Sequence, residues 1–169
     1  MYNIGEYIVS GNSGVGQIVD IVDSTKIGGT DKKKLYYIVQ PLNDGKGLNY
    51  VLVNSKRIPV RKVISKDEAE TLVKEIPGIE KLALGSQRSN EAKYKEILRS
   101  DDFYQWIQLI KGLNLKNEER VSDGKKVGSL DERYMKMAKT KLYSELAVAL
   151  EIETDEVEDY IRSVNNITD

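Results

Sequence analysis

Residues 130–150, LDERYMKMAKTKLYSELAVAL, form the stretch with the clearest helical pattern in the chain. Its apolar residues recur at spacings of three and four, which places them on one side of an α-helix. The predicted buried set is Met135, Ala138, Leu142, Leu146 and Ala149. Ser129 and Glu132 have capping-box spacing just before this row, so the sequence predicts that the helix begins there.

Further helices are predicted on both sides of this one. Ser65 and Glu68 form another capping box, which predicts a helix from Ser65 to about Ile76. A helix is also predicted over residues 90–99, and Asp155 is predicted to cap a short final helix. The second part of the chain is therefore expected to be helical throughout.

One helix in this part carries the chain's only Trp. Ser100 is its predicted cap, with Asp101 and Asp102 in the first turn, where the helix dipole favours anions. The apolar stripe at helical spacing consists of Phe103, Trp106, Ile107, Ile110 and Leu113. Because Trp106 lies within this stripe, it is predicted to be a core residue and not a nucleic-acid wedge.

The first 64 residues have the pattern of strands. Short segments rich in β-branched and aromatic residues alternate with glycine-containing turns; they lie at residues 6–10, 15–22, 34–40, 48–53 and 60–64. Gly14 and Gly16 are expected to relieve crowding where a strand bends. The predicted fold is α+β with two domains: a five-stranded SH3/Tudor-like β-barrel over 1–64, followed by an all-α domain of about five helices over 65–169.

Composition argues against most catalytic chemistry. The 169 residues include no His and no Cys, which removes the commonest general base, the thiol nucleophile and the commonest zinc ligands. The adjacent carboxylate pairs Asp101/Asp102 and Glu118/Glu119 are better explained by helix capping and a solvated surface. An enzyme is therefore the least expected class, and no cofactor, metal or small-molecule substrate is predicted. No apolar run is long enough to cross a bilayer and no signal peptide is recognisable, so a cytoplasmic protein without a membrane partner is expected.

Charge is distributed unevenly along the chain, although the net charge is only −1. Residues 1–64 carry 9 Lys or Arg against 5 Asp or Glu, and residues 86–141 carry 13 against 9. Residues 142–169 carry 1 against 8. A basic middle masked by an acidic end is compatible with nucleic-acid binding.

Basic residues in the helical part, together with Tyr94, form the candidate DNA contact, which would bind phosphates without reading sequence. The set is Arg88, Lys93, Tyr94 and Lys95 near one helix, Lys125 and Lys126 in a loop, and Arg133, Lys136 and Lys139 on the helix that follows. Two plainer interpretations remain open. Tyr94 is also typical of a half-buried tyrosine flanked by lysines. The other residues are also typical of a solvated helix face.

The two ends of the chain together resemble the CarD/CdnL family of bacterial transcription regulators. In the first domain the similarity lies in the opening IGEYIV at 4–9, GVGQI at 14–18 and LYYI at 35–38. In the second it lies in YKEILRSDD at 94–102 and LYSELA at 142–147. The similarity covers nearly the whole chain and rests on the order and spacing of these motifs.

The resemblance implies a protein that docks on the β subunit of bacterial RNA polymerase and touches promoter DNA near the upstream edge of the transcription bubble. Its effect would be on open-complex stability. The implied polymerase-facing residues are Ser24, Lys26, Asn49, Tyr50 and Leu52. Family members often carry a Trp wedge before the helix near residue 90, where this chain has SQRSN over 86–90.

Two other binding classes remain open. One is a protein-only adaptor without a DNA role, which the missing wedge and the acidic end favour. The other is a small RNA-binding barrel that uses the basic first domain, although exposed aromatic residues for base stacking are not evident there.

Overall fold

The computed structural model describes residues 1–11, 13–43, 47–85 and 87–167, apart from the side chains of Gln87 and Arg88. Within these ranges the chain is α+β, as predicted, with an antiparallel sheet first and helices after it. The strands are β1 (Tyr7–Ser10), β2 (Gly14–Asp23), β3 (Leu35–Pro41), β4 (Asn49–Leu52) and β5 (Val60–Lys62). The helices are α1 (Lys66–Glu75), α2 (Gln87–Arg99), α3 (Phe103–Ser122), α4 (Ser129–Leu150) and α5 (Val157–Val164).

The chain divides into two compact units, Met1–Ser65 and Lys66–Asp169, which we name the sheet unit and the helical unit. In the sheet unit the strand order is β4-β3-β2-β1-β5. Strands β1 to β4 pair in sequence, and β5 returns to pair with β1 through Val9 and Arg61. Strands β4 and β5 are therefore the two edges of the sheet.

Alternation along the strands puts one face of the sheet into a common core. Its buried members are Ile8, Ile18, Tyr37, Val39 and Val51. The register places Ile18 opposite Val39 and Tyr37 opposite Val51, so neighbouring strands contribute to the same layer. Because side chains alternate along a strand, the residues next to these pairs on the same strands point away from the core.

Strand β2 is the longest strand and is irregular in its middle. Its register against β3 shifts between Ile18 and Asp20, which marks a bulge at Val19. Gly16 lies so close to β3 that an added Cβ would be 2.4 Å from Val39 Cγ1 and 2.8 Å from the Gln40 carbonyl oxygen. The expected relief of crowding is thus confirmed at Gly16, whereas the bulge itself lies further along the strand.

The helical unit has its core between α3 and α4. All five residues predicted to be buried on α4 are buried, and Trp106 on α3 is 2% exposed. The Trp106 Nε1 donates to the carbonyls of Ile97 and Ser100, both at 3.2 Å. The core prediction for Trp106 is confirmed. Within the described part of the chain, none of the helices combines the length and apolar character that a bilayer crossing requires.

The predicted cap of the Trp106 helix is wrong by two residues. Asp102 is the N-cap of α3, and its Oδ1 accepts from the Tyr104 amide at 2.9 Å. Ser100 instead donates its Oγ to the Ile97 carbonyl at 2.6 Å. The Ser100 hydroxyl therefore helps to end α2, and the Asp102 carboxylate caps α3 in its place.

Two other predicted caps are also wrong. Helix α4 has Gly128 as its N-cap with no side-chain cap, so Ser129 is already its first helical residue. Near the end of the chain, Glu153 and Glu156 form a reciprocal capping box around a short 3₁₀ turn that precedes α5. Asp155 lies inside that turn, and the N-cap of α5 is Glu156, which forms no side-chain cap.

An extended segment after α1 lies against α3. The Leu82 amide donates to the Gln108 carbonyl at 2.9 Å, and the Gly112 backbone faces Leu82 so closely that a Cβ would be 2.7 Å from the Leu82 oxygen. Lys111, beside it, donates to the carbonyls of Ile76 and Ile79. The lysine thus satisfies carbonyls of the 3₁₀ turn that follows α1, much as a cation does at a helix C-terminus.

Candidate protein-docking and nucleic-acid interfaces

The outer face of the sheet unit carries apolar side chains at the β4 edge. Tyr50 and Leu52 point away from the core, and the register places Ile38 and Tyr36 of β3 directly opposite them. Tyr50 is 53% exposed, while Leu52, Ile38 and Tyr36 are half-buried. These four residues are named the β4 face. An apolar face beside an unpaired strand edge is suited to protein binding.

Three of the five implied polymerase-facing residues lie on β4. Tyr50 and Leu52 belong to the β4 face, whereas Asn49 is half-buried and paired with Val39 on the core side. Lys26 is exposed in a 3₁₀ turn after β2. The structure therefore brings two of the five together on one surface.

The prediction for Ser24 is corrected, because its side chain is only 5% exposed. The Ser24 Oγ donates to the Asp31 carbonyl at 2.6 Å and accepts from the Asp31 amide at 3.0 Å. Its own amide donates to the Lys34 carbonyl at 2.9 Å. Ser24 holds the loop between β2 and β3 closed and presents no hydroxyl to a partner.

Tyr94 is likewise corrected as a DNA-contacting residue, because its side chain is fully buried. Its hydroxyl donates to Asp131 Oδ1 at 3.1 Å, and Lys116 Nζ lies 2.5 Å from Asp131 Oδ2. Burial, together with the Asp131 carboxylate, raises the pKa of Tyr94 well above its usual value. This triad, in which Tyr94 and Asp131 are buried and Lys116 is partly exposed, joins α2, α3 and α4. The Tyr94 ring is therefore out of reach of nucleic acid.

Glu91 brings basic residues of α2 and α4 together. Its Oε1 lies 3.3 Å from Lys95 Nζ and 3.6 Å from Arg133 Nη2, and it accepts from the Tyr134 hydroxyl at 3.3 Å. The Arg133 guanidinium also lies 5.1 Å from the centre of the Tyr134 ring. Two of the predicted DNA-binding cations are therefore partly neutralised by one carboxylate.

The remaining predicted cations differ in how free their charge is. Lys139 lies 3.5 Å from Glu158, which holds it against α5. Lys93 and Lys136 are exposed, and neither forms an ion pair with a residue that the structure describes. The Arg88 side chain lies outside the described residues. Lys93 and Lys136 are thus the helix residues best able to contact a phosphate.

Lys125 and Lys126 lie in an ordered loop between α3 and α4. The Lys125 amide donates to the Arg120 carbonyl at 2.8 Å, and Arg120 Nε donates to the Lys126 carbonyl at the same distance. Both lysine side chains are exposed. The loop can therefore present two cations without a large loss of backbone conformational entropy on binding.

The carboxylates that were considered as adjacent pairs lie in different surroundings. Asp102 caps α3 and also accepts from Gln105 Nε2 at 3.1 Å, while Glu118 lines a shallow groove of about 600 Å³ between α3 and the segment at 79–81.

Lys111, which also borders that groove, donates to backbone carbonyls, and burial lowers its pKa. No group of three or more potential metal-binding side chains occurs among the described residues.

In comparisons with known proteins, no family model matches the chain and no curated protein matches it at a significant level.

Two features of these surfaces were missed by reasoning from the sequence. Glu91 was not singled out, although its spacing of four from Lys95 is a signal for a helical ion pair. The lysine run at 32–34 was counted as part of the charge of the first domain but was not assigned to a surface. Both signals are present in the sequence, but only the fold shows which residues surround them.

Proposed function

We propose that this protein is a bacterial, cytoplasmic transcription regulator that docks on the β subunit of RNA polymerase and contacts promoter DNA near the upstream edge of the bubble. The sheet unit is the docking module, and the helical unit contacts DNA. The observation that carries the proposal is the β4 face, because it puts Tyr50 and Leu52 at a sheet edge. The sequence resemblance to CarD/CdnL regulators supports the choice of partner.

The architecture of the docking module is proposed to be an SH3/Tudor-like barrel. Support comes from the strand order, in which four consecutive strands pair in turn and β5 returns beside β1. The long β2 with its bulge at Val19 can bend so that one strand serves both halves of a small barrel.

Docking would use the β4 backbone as well as its side chains. One side of β4 pairs with β3, and its other side is the sheet edge. An extended partner segment can add to such an edge, with main-chain hydrogen bonds supplying affinity and alternate side chains supplying specificity. Tyr50 offers the largest exposed apolar surface on the β4 face and is therefore the expected anchor.

The helical unit would act by differential binding. Phosphate contacts through Lys93, Lys136 and the 125–126 loop add stability only where DNA reaches them. If DNA reaches these lysines in the open complex alone, the contacts shift the equilibrium toward that complex. Each 1.4 kcal/mol of binding free energy changes the equilibrium constant by about tenfold.

A protein-only adaptor is the second candidate, and specific observations favour it. Tyr94 is buried, and Lys95, Arg133 and Lys139 all have carboxylate partners. These contacts weaken the positive field that the helical unit offers to DNA. An adaptor would keep the β4 face for polymerase and use the helical unit for another protein.

Open-complex lifetime on a ribosomal RNA promoter tests both candidates, with polymerase from the source bacterium. The docking variant is Tyr50→Lys, the phosphate variant is Lys93→Gln with Lys136→Gln, and the matched control is Lys66→Gln with Lys74→Gln. The regulator predicts that the wild type and the control change the lifetime, and that the docking variant loses both polymerase binding and the effect. It also predicts that the phosphate variant binds polymerase but has a smaller effect.

Other outcomes separate the two candidates. An unchanged lifetime despite clear binding of the wild type to the β subunit would contradict the regulator and support the adaptor. Loss of the effect in the control variant would show that net charge, and not a particular surface, is responsible.

A further inference from the structure

A cluster of exposed lysines lies on the sheet unit, in the loop between β2 and β3. Residues 24–34, STKIGGTDKKK, contain four lysines at positions 26, 32, 33 and 34. All four are exposed, and none forms an ion pair with a described residue. We name residues 24–34 the lysine loop. In lacking an ion pair with a described residue, these four lysines resemble Lys93 and Lys136. They differ from Lys95, Arg133 and Lys139, which have carboxylate partners.

The two carboxylates beside these lysines are committed to the backbone of the loop. Asp23 Oδ1 accepts from the Thr25 amide at 2.9 Å, and Asp31 Oδ1 accepts from the Lys33 amide at the same distance. Lys26 and Lys32 both act on the Asp23 carboxylate electrostatically, and these two cations therefore lie near the same carboxylate. The two carboxylates shape the loop and offset part of its positive charge, while all four lysines remain exposed.

Hydrogen bonds also tie down the loop backbone, which lowers the backbone entropy that a ligand has to remove on binding. The buried Ser24 hydroxyl bonds to both the amide and the carbonyl of Asp31, and the Ser24 amide bonds to Lys34. The Leu35 carbonyl, just after the lysine run, accepts from the Val53 amide at 2.9 Å. Both ends of the loop are thereby fixed to the sheet.

We infer that the lysine loop is a second nucleic-acid contact, which binds the phosphate backbone of duplex DNA without reading sequence. Lysine is a compact, strongly hydrated point charge, whereas bidentate recognition of a carboxylate is typical of arginine, and the loop has no arginine. A duplex presents one negative charge per 1.7 Å or so of its axis, a density that suits four neighbouring ammonium groups. The loop has no aromatic residue for stacking on unpaired bases, which favours duplex over single strands.

This inference goes beyond the proposed function, which assigns DNA contact to the helical unit alone. It also does not require polymerase. Of the lysine loop, only Ser24 and Lys26 are shared with the implied polymerase-facing residues, so the test leaves both unchanged.

The test is the salt dependence of binding of the full chain to a short fluorescein-labelled DNA duplex of mixed sequence, measured by anisotropy. The loop variant is Lys32→Gln, Lys33→Gln and Lys34→Gln together. The control variant is Lys66→Gln, Lys74→Gln and Lys81→Gln, which makes the same change in net charge at exposed lysines of the helical unit. Thermal unfolding of each variant checks that the fold is retained.

The loop variant is expected to bind at least tenfold more weakly at low salt. The slope of log K against log salt should fall in magnitude by about 0.9 for each phosphate that is no longer neutralised, or roughly 2 to 3 in all. In the control variant the slope should fall by less than the amount expected for a single phosphate. Equal changes in the two variants would overturn the inference, as would a wild type that does not bind duplex DNA at low salt.

Polyglutamate serves as a second probe. Preferential binding of wild type to polyglutamate over DNA, abolished in the loop variant, would reassign the loop to an acidic protein partner and overturn the inference. The open-complex test of the proposed function retains its own outcome, since the loop variant keeps Lys26, Tyr50 and Leu52. The two tests therefore distinguish failure of the lysine-loop inference from failure of the proposed regulator function.

Discussion

At Tyr94 the local sequence and the fold give opposite indications. Lys93 and Lys95 flank the ring and favour a nucleic-acid surface. The helical period, however, places Tyr94 between Asn90 and Ile97, which are both buried. Two exposed lysines beside a fully buried tyrosine are what an amphipathic helix produces at its edge, so charge along the sequence does not locate a side chain.

Replacement of Tyr94 by Phe should destabilise the helical unit. The ring contacts would remain, but Asp131 would lose its neutral donor inside the core and, among the described side chains, keep Lys116 alone. Removing a hydrogen bond to a buried charged acceptor costs about 1–3 kcal/mol. The free energy of unfolding in urea measures this.

Tyr134→Phe is the matched control for that experiment. Its hydroxyl donates to Glu91, which is only partly buried and has two cationic neighbours. The expected loss of stability is below about 1 kcal/mol, because water can replace the donor. Equal stability of Tyr94→Phe and the wild type would show that Asp131 does not depend on the tyrosine.

At the scale of elements, α3 depends on a close approach that only glycine allows. Gly112→Ala would put a Cβ 2.7 Å from the Leu82 oxygen and 3.2 Å from Leu82 Cβ. Alanine is the better helix former by about 1 kcal/mol, but the clash with a backbone atom should outweigh this and leave a net loss of about 1–3 kcal/mol.

Two measurements check the Gly112 prediction. Urea unfolding gives the change in stability, and amide hydrogen exchange at Leu82 should accelerate, because its bond to the Gln108 carbonyl is displaced. Gly78→Ala is the control, since a Cβ there meets no atom within 4 Å. Similar losses of stability at both positions would contradict the packing argument.

The strands and helices were largely predictable from the spacing of apolar residues and from β-propensity, whereas the helix caps were not. Five strands and the buried side of α4 follow from spacings that tertiary structure did not alter. Caps depend on competition between adjacent polar side chains, and Ser100 bonds back to Ile97 while Asp102 takes the cap. Residue type alone cannot rank these two candidates.

The candidate surfaces were predictable in part for a similar reason. Outward positions on β4 follow from alternation, so Tyr50 and Leu52 could be placed on one face. The burial of Ser24 depends on a loop closing onto it, and the partners of Glu91 come from two helices. Such long-range contacts leave no periodic trace in the sequence.

At the scale of the whole molecule, the chain contains two compact units with separate cores. We predict that fragments 1–65 and 66–169 each unfold cooperatively when expressed alone, as followed by circular dichroism in urea. The shorter fragment should be the less stable, because a domain of about 60 residues buries a smaller fraction of its surface. A fragment 66–169 without a sigmoidal transition would contradict this prediction.

The contacts of Glu91 also affect how mutational data on the helical unit should be interpreted. Lys95 and Arg133 both neutralise this carboxylate, so removing either one also restores negative charge beside the other. A single alanine substitution there would measure the missing cation together with the unmasked anion. Free-energy changes at these three positions are therefore coupled and will not sum. Only a thermodynamic cycle that includes Glu91→Gln can separate the attraction of a phosphate from the repulsion by the protein's own carboxylate.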